Sequence, residues 1–132
     1  MKPDCSIVIR AYNEERHIGR LLDGINHQTV KNIEVILVDS GSTDKTVSIA
    51  KSMGARIVKI SPHEFTFGRS LNKGIGVSRS DLIVIASAHV YPVYPDWIEK
   101  LLEPFKDRGV ALVYGKQRGV ETSQFSEQII FR

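Results

Sequence analysis

Apolar and polar positions along this chain follow two periods in turn. Five short runs are almost continuously apolar and rich in β-branched residues, at 6–10, 33–38, 56–60, 82–86 and 110–114. Such runs are typical of strands that are buried on both faces of a sheet. Between them, apolar residues recur at helical spacing, as at Ile18, Leu21, Leu22 and Ile25. The alternation predicts an α/β fold with a doubly wound, mainly parallel sheet flanked by helices.

The first two predicted strands each break directly into a polar turn before a helix. The turn residues are Ala11, Tyr12, Asn13 and Glu14 after the first strand, and Asp39, Ser40 and Gly41 after the second. Ligands of open parallel sheets bind outside the carboxyl ends of the strands, so these residues are candidates for ligand contact. We also expect Asn13 to cap the first helix and Thr43 or Asp44 to cap the second.

Composition limits the class of partner. The 132 residues fit one domain, and 42% of them are hydrophobic. The 18 Lys and Arg residues and the 15 Asp and Glu residues give a net charge of +3. The basic residues are scattered along the sequence, so a nucleic-acid surface is not indicated. Cys5 is the single cysteine, which favours a reducing compartment. With neither a signal peptide nor a membrane span in the sequence, we expect a cytoplasmic protein, with peripheral association at the inner face of a membrane as a further option.

The first turn excludes two familiar phosphate sites. A dinucleotide site needs glycines after the first strand, and residues 11–16 contain none; a P-loop is also missing from the sequence. The phosphates of a bound nucleotide would therefore have to be neutralised by a metal ion or by basic side chains.

Taken together, residues 6–15 and 35–44 resemble the amino-terminal half of an inverting glycosyltransferase of family 2, with the GT-A fold. The resemblance covers roughly residues 5–118. It implies strand order 3-2-1-4 and transfer of a sugar, with inversion, from a nucleotide-diphosphate sugar such as a UDP-sugar. The acceptor would be the hydroxyl of a glycan or of a lipid carrier, in cell-wall or polysaccharide biosynthesis. Residues 1–132 would form a single donor-binding domain of an incomplete GT-A fold, and 115–132 would begin the acceptor side.

The resemblance also assigns roles on the nucleoside side. Asp39 would accept the ring N–H of a uracil-like base, and Tyr12 would stack on that base. Asn13 or Glu14 would contact the ribose, and Ala11, Ser40 and Gly41 would shape the pocket. A turn-forming or helix-capping role for Asp39 is the structural alternative.

The sequence departs from the family where the diphosphate would bind. The family's Asp-x-Asp motif is replaced here by Ser87-Ala88-His89. One interpretation keeps a divalent metal, Mn²⁺ or Mg²⁺, with His89 as its ligand and Ser87 close to the substrate. Alternatively, protonated His89 pairs with phosphate directly, or the site is metal-free and inactive and His89 is a turn residue.

A second departure follows at 70–74. The family pattern Ala-Arg-Asn-x-Gly is matched by Asn72 and Gly74, but Leu71 stands at the arginine position. Arg69 and Lys73 lie four residues apart and would share a helix face toward phosphate, unless both are simply solvated. Asn72 would also contact the substrate.

No residue is assigned as the catalytic base. The acids that follow Tyr114 are Glu121 and Glu127, and neither lies in a recognisable motif. Two other functions therefore stay open: a nucleotide-sugar-binding module without turnover, and a nucleotidyltransferase-like α/β enzyme.

Overall fold

A computed structural model describes residues 2–115 as alternating strands and helices. The strands are β1 Cys5–Ala11, β2 Ile33–Asp39, β3 Arg56–Lys59 and β4 Ile83–Ser87. The helices are α1 Ile18–Asn26, α2 Thr46–Ser52, α3 Phe67–Gly76 and α4 Trp97–Leu102, and a 3₁₀ turn follows at Glu103–Lys106. Within 2–115, no helix is long and apolar enough to cross a bilayer.

The four strands form one parallel sheet in the order β3-β2-β1-β4. This confirms the predicted doubly wound α/β fold and its strand order. The register pairs Ala11 with Asp39, and Arg10 with Ser87. All strands therefore end at one side of the sheet, and we call these ends and the turns that follow them the carboxyl edge.

Helix α3 covers one face of the sheet. Val8, Ile36, Val38 and Ile60 form a buried cluster there, and α3 packs on β1 and β2. The approach is very close at Gly74, where an added Cβ would lie 2.5 Å from a Val8 methyl and 2.9 Å from a Val38 methyl. Only glycine at this position allows α3 to sit so near the strands.

The opposite face of the sheet is buried as well. Ile7, Ile9 and Leu37 alternate with the residues under α3, and none of the three is exposed to solvent. Helix α1 buries its predicted apolar stripe, which consists of Ile18, Leu21, Leu22 and Ile25. Burial on both faces explains why the strands read as continuous apolar runs.

A buried carboxylate ties the sheet to the segment between α3 and β4. Glu34 Oε1 accepts hydrogen bonds from Ser6 Oγ at 2.7 Å and from the Arg79 backbone N–H at 2.8 Å, and Oε2 accepts from Arg79 Nε at 2.8 Å. Burial acts to raise the pKa of Glu34, but these hydrogen bonds and the Arg79 charge together hold it below its ordinary value. Glu34 is therefore ionised at neutral pH despite being buried.

The segment after β4 is fixed to the end of α1. The Gln28 side chain is 1% exposed; it donates to the carbonyls of Gly24 and Tyr94 and accepts from the Ile98 backbone N–H at 3.0 Å. These bonds use its whole amide group and order the chain that leaves β4.

The predicted cap of the first helix is wrong. Helix α1 begins at Ile18 with His17 at its N-cap and no side-chain cap bond, whereas Asn13 lies in the left-handed region at φ 50°. The prediction for the second helix is closer: Lys45 holds the N-cap of α2, but Asp44 accepts the Thr46 backbone N–H at 2.9 Å.

The fifth predicted strand, at 110–114, is also wrong. The structure has no strand between residues 107 and 115, and Leu112 and Tyr114 are exposed. An apolar run becomes a strand only when a neighbour completes its hydrogen-bond ladder, and residues 107–115 form no such ladder. One compact unit ends at Glu99 and contains the whole sheet; a second begins at Lys100 and includes this run.

Candidate nucleotide-sugar site

The turns after β1 and β2 are joined into one unit by reciprocal hydrogen bonds. The backbone N–H of Asn13 donates to Ser42 Oγ, and the Thr43 N–H donates back to Asn13 Oδ1, both at 2.8 Å. One residue further on, the Glu14 N–H donates to Thr46 Oγ1 at 2.8 Å. Asn13 tolerates its left-handed conformation well, and its side chain locks the two turns together rather than capping a helix.

A second pair of bonds closes the outer side of this unit. The Glu15 N–H donates to Asp44 Oδ2, and the Lys45 N–H donates to Glu15 Oε2, each at 3.2 Å. Slight burial acts to raise the pKa of Asp44, but hydrogen bonds from Thr46 and Glu15 hold it below its ordinary value. Asp44 thus stays ionised and accepts these donors throughout the neutral range.

Asp39 divides its two carboxylate oxygens between two environments. Oδ2 accepts the backbone N–H groups of Gly41 and Ser42, each at 3.1 Å. Oδ1 is buried, with less than 1 Å² reached by solvent, and has no hydrogen-bond partner within residues 2–115. Buried polar atoms are nearly always paired, so Oδ1 is an acceptor for which the described residues provide no donor. A ligand that reaches it has to displace the groups that cover it.

The loop after Asp39 requires glycine. Gly41 has φ +105°, and a Cβ there would lie 3.1 Å from the ring of Pro62. Ser40 beside it is buried, and its N–H donates to the Ala11 carbonyl at 3.2 Å. The backbone of this loop is therefore held against the end of β1. Tyr12, which follows Ala11, is 57% exposed at the carboxyl edge.

His89 lies beside the turn that follows β1. Its Nδ1 is 3.8 Å from Glu14 Oε1, and Ser87 Oγ is 3.2 Å from a ring nitrogen. The structure thus brings together three predicted site residues from two neighbouring strands. The Glu14 carboxylate is on the His89 side of the site, while its backbone is tied to Thr46.

These groups form a partial donor set for a divalent cation. One imidazole and one carboxylate approach each other, with a hydroxyl nearby; Mn²⁺ accepts such nitrogen and oxygen ligands. Residues 2–115 contain no cluster of three His, Cys, Asp or Glu side chains that could hold a metal alone. A metal here would therefore complete its shell with phosphate oxygens and water.

The predicted residues of α3 remain apart from this group. Arg69, Asn72 and Lys73 are exposed, and their side chains make no hydrogen bond or ion pair with any other residue that the structure describes. The N–H of Arg69 donates to Thr66 Oγ1, which caps α3. Arg69 stands in the first turn of the helix, and Lys73 follows one turn later.

One residue at the carboxyl edge was missed by the sequence analysis. The guanidinium carbon of Arg10, in β1, lies 4.1 Å from the centroid of the Phe67 ring at the start of α3. The available signal was a charged residue near the end of an otherwise apolar central strand.

Comparisons with known proteins agree with this architecture. The O-antigen chain rhamnosyltransferase WbaN of Salmonella anatum is 30% identical over 117 residues, which are 87% of this chain and 37% of that protein. The chain spans about a third of the length of the first curated relatives that it matches.

Two solved structures share the fold. The mannosyltransferase PcManGT from Pyrobaculum calidifontis, in complex with GDP-Man and Mn²⁺, superimposes with a TM-score of 0.80 at 24% identity, over 89% of this chain and 36% of that one. Glucosyl-3-phosphoglycerate synthase from Mycobacterium tuberculosis, in complex with UDP, gives a TM-score of 0.73 at 27% identity, over 89% of this chain and 46% of that one. Their similarity confirms the GT-A fold.

The family model described as glycosyl transferase family 2 matches residues 6–129. The match covers nearly the whole chain, and the protein therefore belongs to glycosyl transferase family 2.

Proposed function

We propose that the protein binds a nucleotide-diphosphate sugar at its carboxyl edge and transfers the sugar, with inversion, to an acceptor hydroxyl. The observation that carries the proposal is Asp39 Oδ1, a buried carboxylate oxygen at the end of a central strand that accepts no hydrogen bond from any described residue. A ring N–H of the base would supply that donor, in a charge-assisted hydrogen bond. The solved relatives described above were bound to GDP-Man and to UDP.

The nucleoside would lie over the joined turns. Asp39 selects bases that carry a ring N–H beside a carbonyl, such as uracil, thymine and guanine, and we favour uracil. Exposed Tyr12 offers its ring for stacking. Asn13 uses its side-chain oxygen on Thr43, so its amide nitrogen is available to the ribose, and Ala11, Ser40 and Gly41 form the floor.

The diphosphate would lie toward β4. His89 and Glu14, with Ser87, would hold a divalent cation, Mn²⁺ or Mg²⁺, together with the phosphate oxygens. Such a cation neutralises the negative charge of the departing diphosphate. Arg69 and Lys73, with Asn72, would extend the positive surface along α3, since all three are exposed and unpaired with described residues.

The transfer itself is a single displacement at the anomeric carbon. The acceptor oxygen forms a bond to this carbon while its bond to the diphosphate oxygen breaks, and the electron pair leaves with the nucleoside diphosphate. The acceptor proton passes to a general base. We leave that base unassigned: Glu121 and Glu127 lie outside the described residues. Residues 1–132 would form one donor-binding domain, and the acceptor side would begin at 115–132.

The acceptor is proposed from the relatives. The name of WbaN concerns O-antigen chains, which favours a glycan or a lipid-linked glycan acceptor in polysaccharide or cell-wall biosynthesis. Such acceptors would place the protein in the cytoplasm, at the inner face of a membrane.

The test is Asp39→Asn. The asparagine carbonyl can still accept from Gly41 and Ser42, so the loop keeps its bonds, while the amide NH₂ replaces Oδ1 and meets the base N–H donor to donor. We expect a loss of about 1–3 kcal/mol in binding free energy for the preferred nucleotide. Titration calorimetry with UDP, dTDP and GDP measures it.

Asp81→Asn is the matched control, because Asp81 is a surface residue paired with Lys2. It should leave all affinities unchanged. If Asp39→Asn and the native protein bind every nucleotide equally, Asp39 does not contact the base.

A further inference from the structure

Arg10 is a charged residue in an unusual place. It precedes the last residue of β1, the strand between β2 and β4 in the sheet. Side chains alternate along a strand, so Arg10 projects to the same face as Val8, which packs under α3. It stands beyond the buried cluster, at the carboxyl edge, and its register partner on β4 is Ser87.

The Arg10 side chain is held by an aromatic ring instead of a carboxylate. Its guanidinium lies 4.1 Å from the Phe67 centroid, and the Phe67 ring meets Phe65 edge to face at 5.5 Å between centroids. Phe67 is 64% exposed. The contact fixes a flat guanidinium at the surface of the edge while the N–H donors around its rim stay free.

Within residues 2–115, Arg10 forms no ion pair with an acid of this edge. Asp39 accepts from the loop backbone, and the Glu14 carboxylate lies beside His89. Among the residues that the structure describes, Arg10 makes no ion pair or hydrogen bond through its side chain. A guanidinium that is fixed at a ligand-binding edge and keeps unpaired N–H donors is suited to an anionic ligand.

We propose that Arg10 binds a phosphoryl group of the donor's diphosphate and that Phe67 positions it. The planar fork of arginine matches two phosphate oxygens at once. The position beside Ser87 places this charge on the strand pair that also carries His89, where the Asp-x-Asp motif is missing. The inference rests on the proposed function, and adds to it a phosphate contact from β1.

The test compares a nucleoside diphosphate with its parent nucleoside. The diphosphate is whichever of UDP, dTDP and GDP binds the native protein most tightly. Arg10→Gln should weaken the diphosphate by about tenfold or more and the nucleoside by less than about twofold. Arg10→Lys keeps the charge but loses the planar guanidinium, and Phe67→Leu keeps the arginine but loses the aromatic ring that positions it. Both variants should bind the diphosphate with an affinity between those of the native protein and Arg10→Gln.

Arg56→Gln is the matched control, because Arg56 starts β3 and therefore lies at the opposite edge of the parallel sheet. It removes the same charge and should leave both affinities unchanged. The role of Arg10 is overturned if Arg10→Gln lowers the affinities for nucleoside and diphosphate equally. It is also overturned if Arg10→Gln binds the diphosphate as tightly as the native protein does. If the native protein binds none of the three diphosphates, the proposed function itself fails.

Discussion

At the scale of single residues, the two carboxylates of the carboxyl edge differ in what surrounds them. Asp39 is 2% exposed, and one of its oxygens accepts hydrogen bonds from backbone N–H groups. Glu14 is partly exposed and faces an imidazole. A buried acid with a fixed orientation suits recognition of one donor atom, whereas a partly exposed acid beside histidine suits a hydrated cation.

The first prediction concerns His89. Nucleotide diphosphate should bind the native protein about tenfold more tightly with Mn²⁺ than with EDTA, because the cation bridges protein donors and phosphate. His89→Ala should lose this increment, since it removes the imidazole that faces Glu14. Titration calorimetry of UDP under the two conditions measures the effect.

His27→Ala is the control, because His27 is exposed at the C-cap of α1. It should keep the full response to Mn²⁺. If the native protein binds equally with Mn²⁺ and EDTA but His89→Ala weakens both, His89 contacts phosphate directly. If His89→Ala changes neither, it is a turn residue.

How far the sequence could identify these residues depends on the kind of signal. Asp39 follows an apolar run, a pattern that local sequence displays. From the sequence, turn formation and ligand binding by Asp39 are alternatives, but in the structure Oδ2 accepts from the turn and Oδ1 is left for a ligand. Arg10 could not be singled out from the sequence, because its position depends on a contact with Phe67, 57 positions later in the chain. The sequence also does not show that Arg10 lacks an ion pair with the described acids.

At the scale of elements, the distance between α3 and the sheet depends on a single glycine. Gly74→Ala should destabilise the protein by about 1–3 kcal/mol, because its Cβ would overlap stiff, β-branched side chains at Val8 and Val38. Urea unfolding measures the loss.

Gly76→Ala provides a control of opposite sign in the same helix. An added Cβ at Gly76 meets nothing within 4 Å, and alanine favours helix by up to about 1 kcal/mol over glycine. This variant should be as stable as the native protein or more so. Equal effects of the two substitutions would show that helix propensity, and not the close approach, determines stability here.

Periodicity predicts the type of the four strands of the sheet and of the first helix, but it predicts neither the ends of an element nor whether a strand finds a neighbour. The apolar stripe of α1 was predicted residue by residue, but the helix starts at Ile18, several residues after the expected Asn13 cap. Asn13 is instead drawn to Ser42 and Thr43, partners from another turn. The run at 110–114 shows the same limit: its pattern is that of a strand, but a strand also needs a neighbour.

At the scale of the whole molecule, the fold was predictable because every level of the sequence pointed the same way. Apolar runs, helical spacing and polar strand ends are mutually consistent, and the parallel order β3-β2-β1-β4 follows from them together with the family resemblance. The acceptor half of the reaction was not predictable from the same signals, because no motif marks a general base.

Glu34 connects three parts of the molecule, so its ionisation affects global stability. Its carboxylate is 4% exposed and binds β1 through Ser6 and the segment before β4 through Arg79. Because the native pKa is lowered, the stabilisation is fully present above the ordinary glutamate pKa of about 4.3 and is lost as the pH falls through the lower native value.

Glu34→Gln should therefore lower the free energy of unfolding by about 1–3 kcal/mol at pH 7, and the gap to the native protein should shrink below about pH 4. The loss arises because the amide keeps only one acceptor oxygen for the donors of Ser6 and Arg79. Urea unfolding at pH 7, 5.5, 4 and 3 measures the difference in free energy of unfolding between the variant and the native protein.

Glu64→Gln is the control: Glu64 is exposed, and its side chain bonds to no other described residue, so its unfolding curve should coincide with that of the native protein. A gap for Glu34→Gln that stays constant down to pH 3 would mean that the charge of Glu34 contributes nothing and that the neutral acid stabilises the fold as well as the carboxylate does.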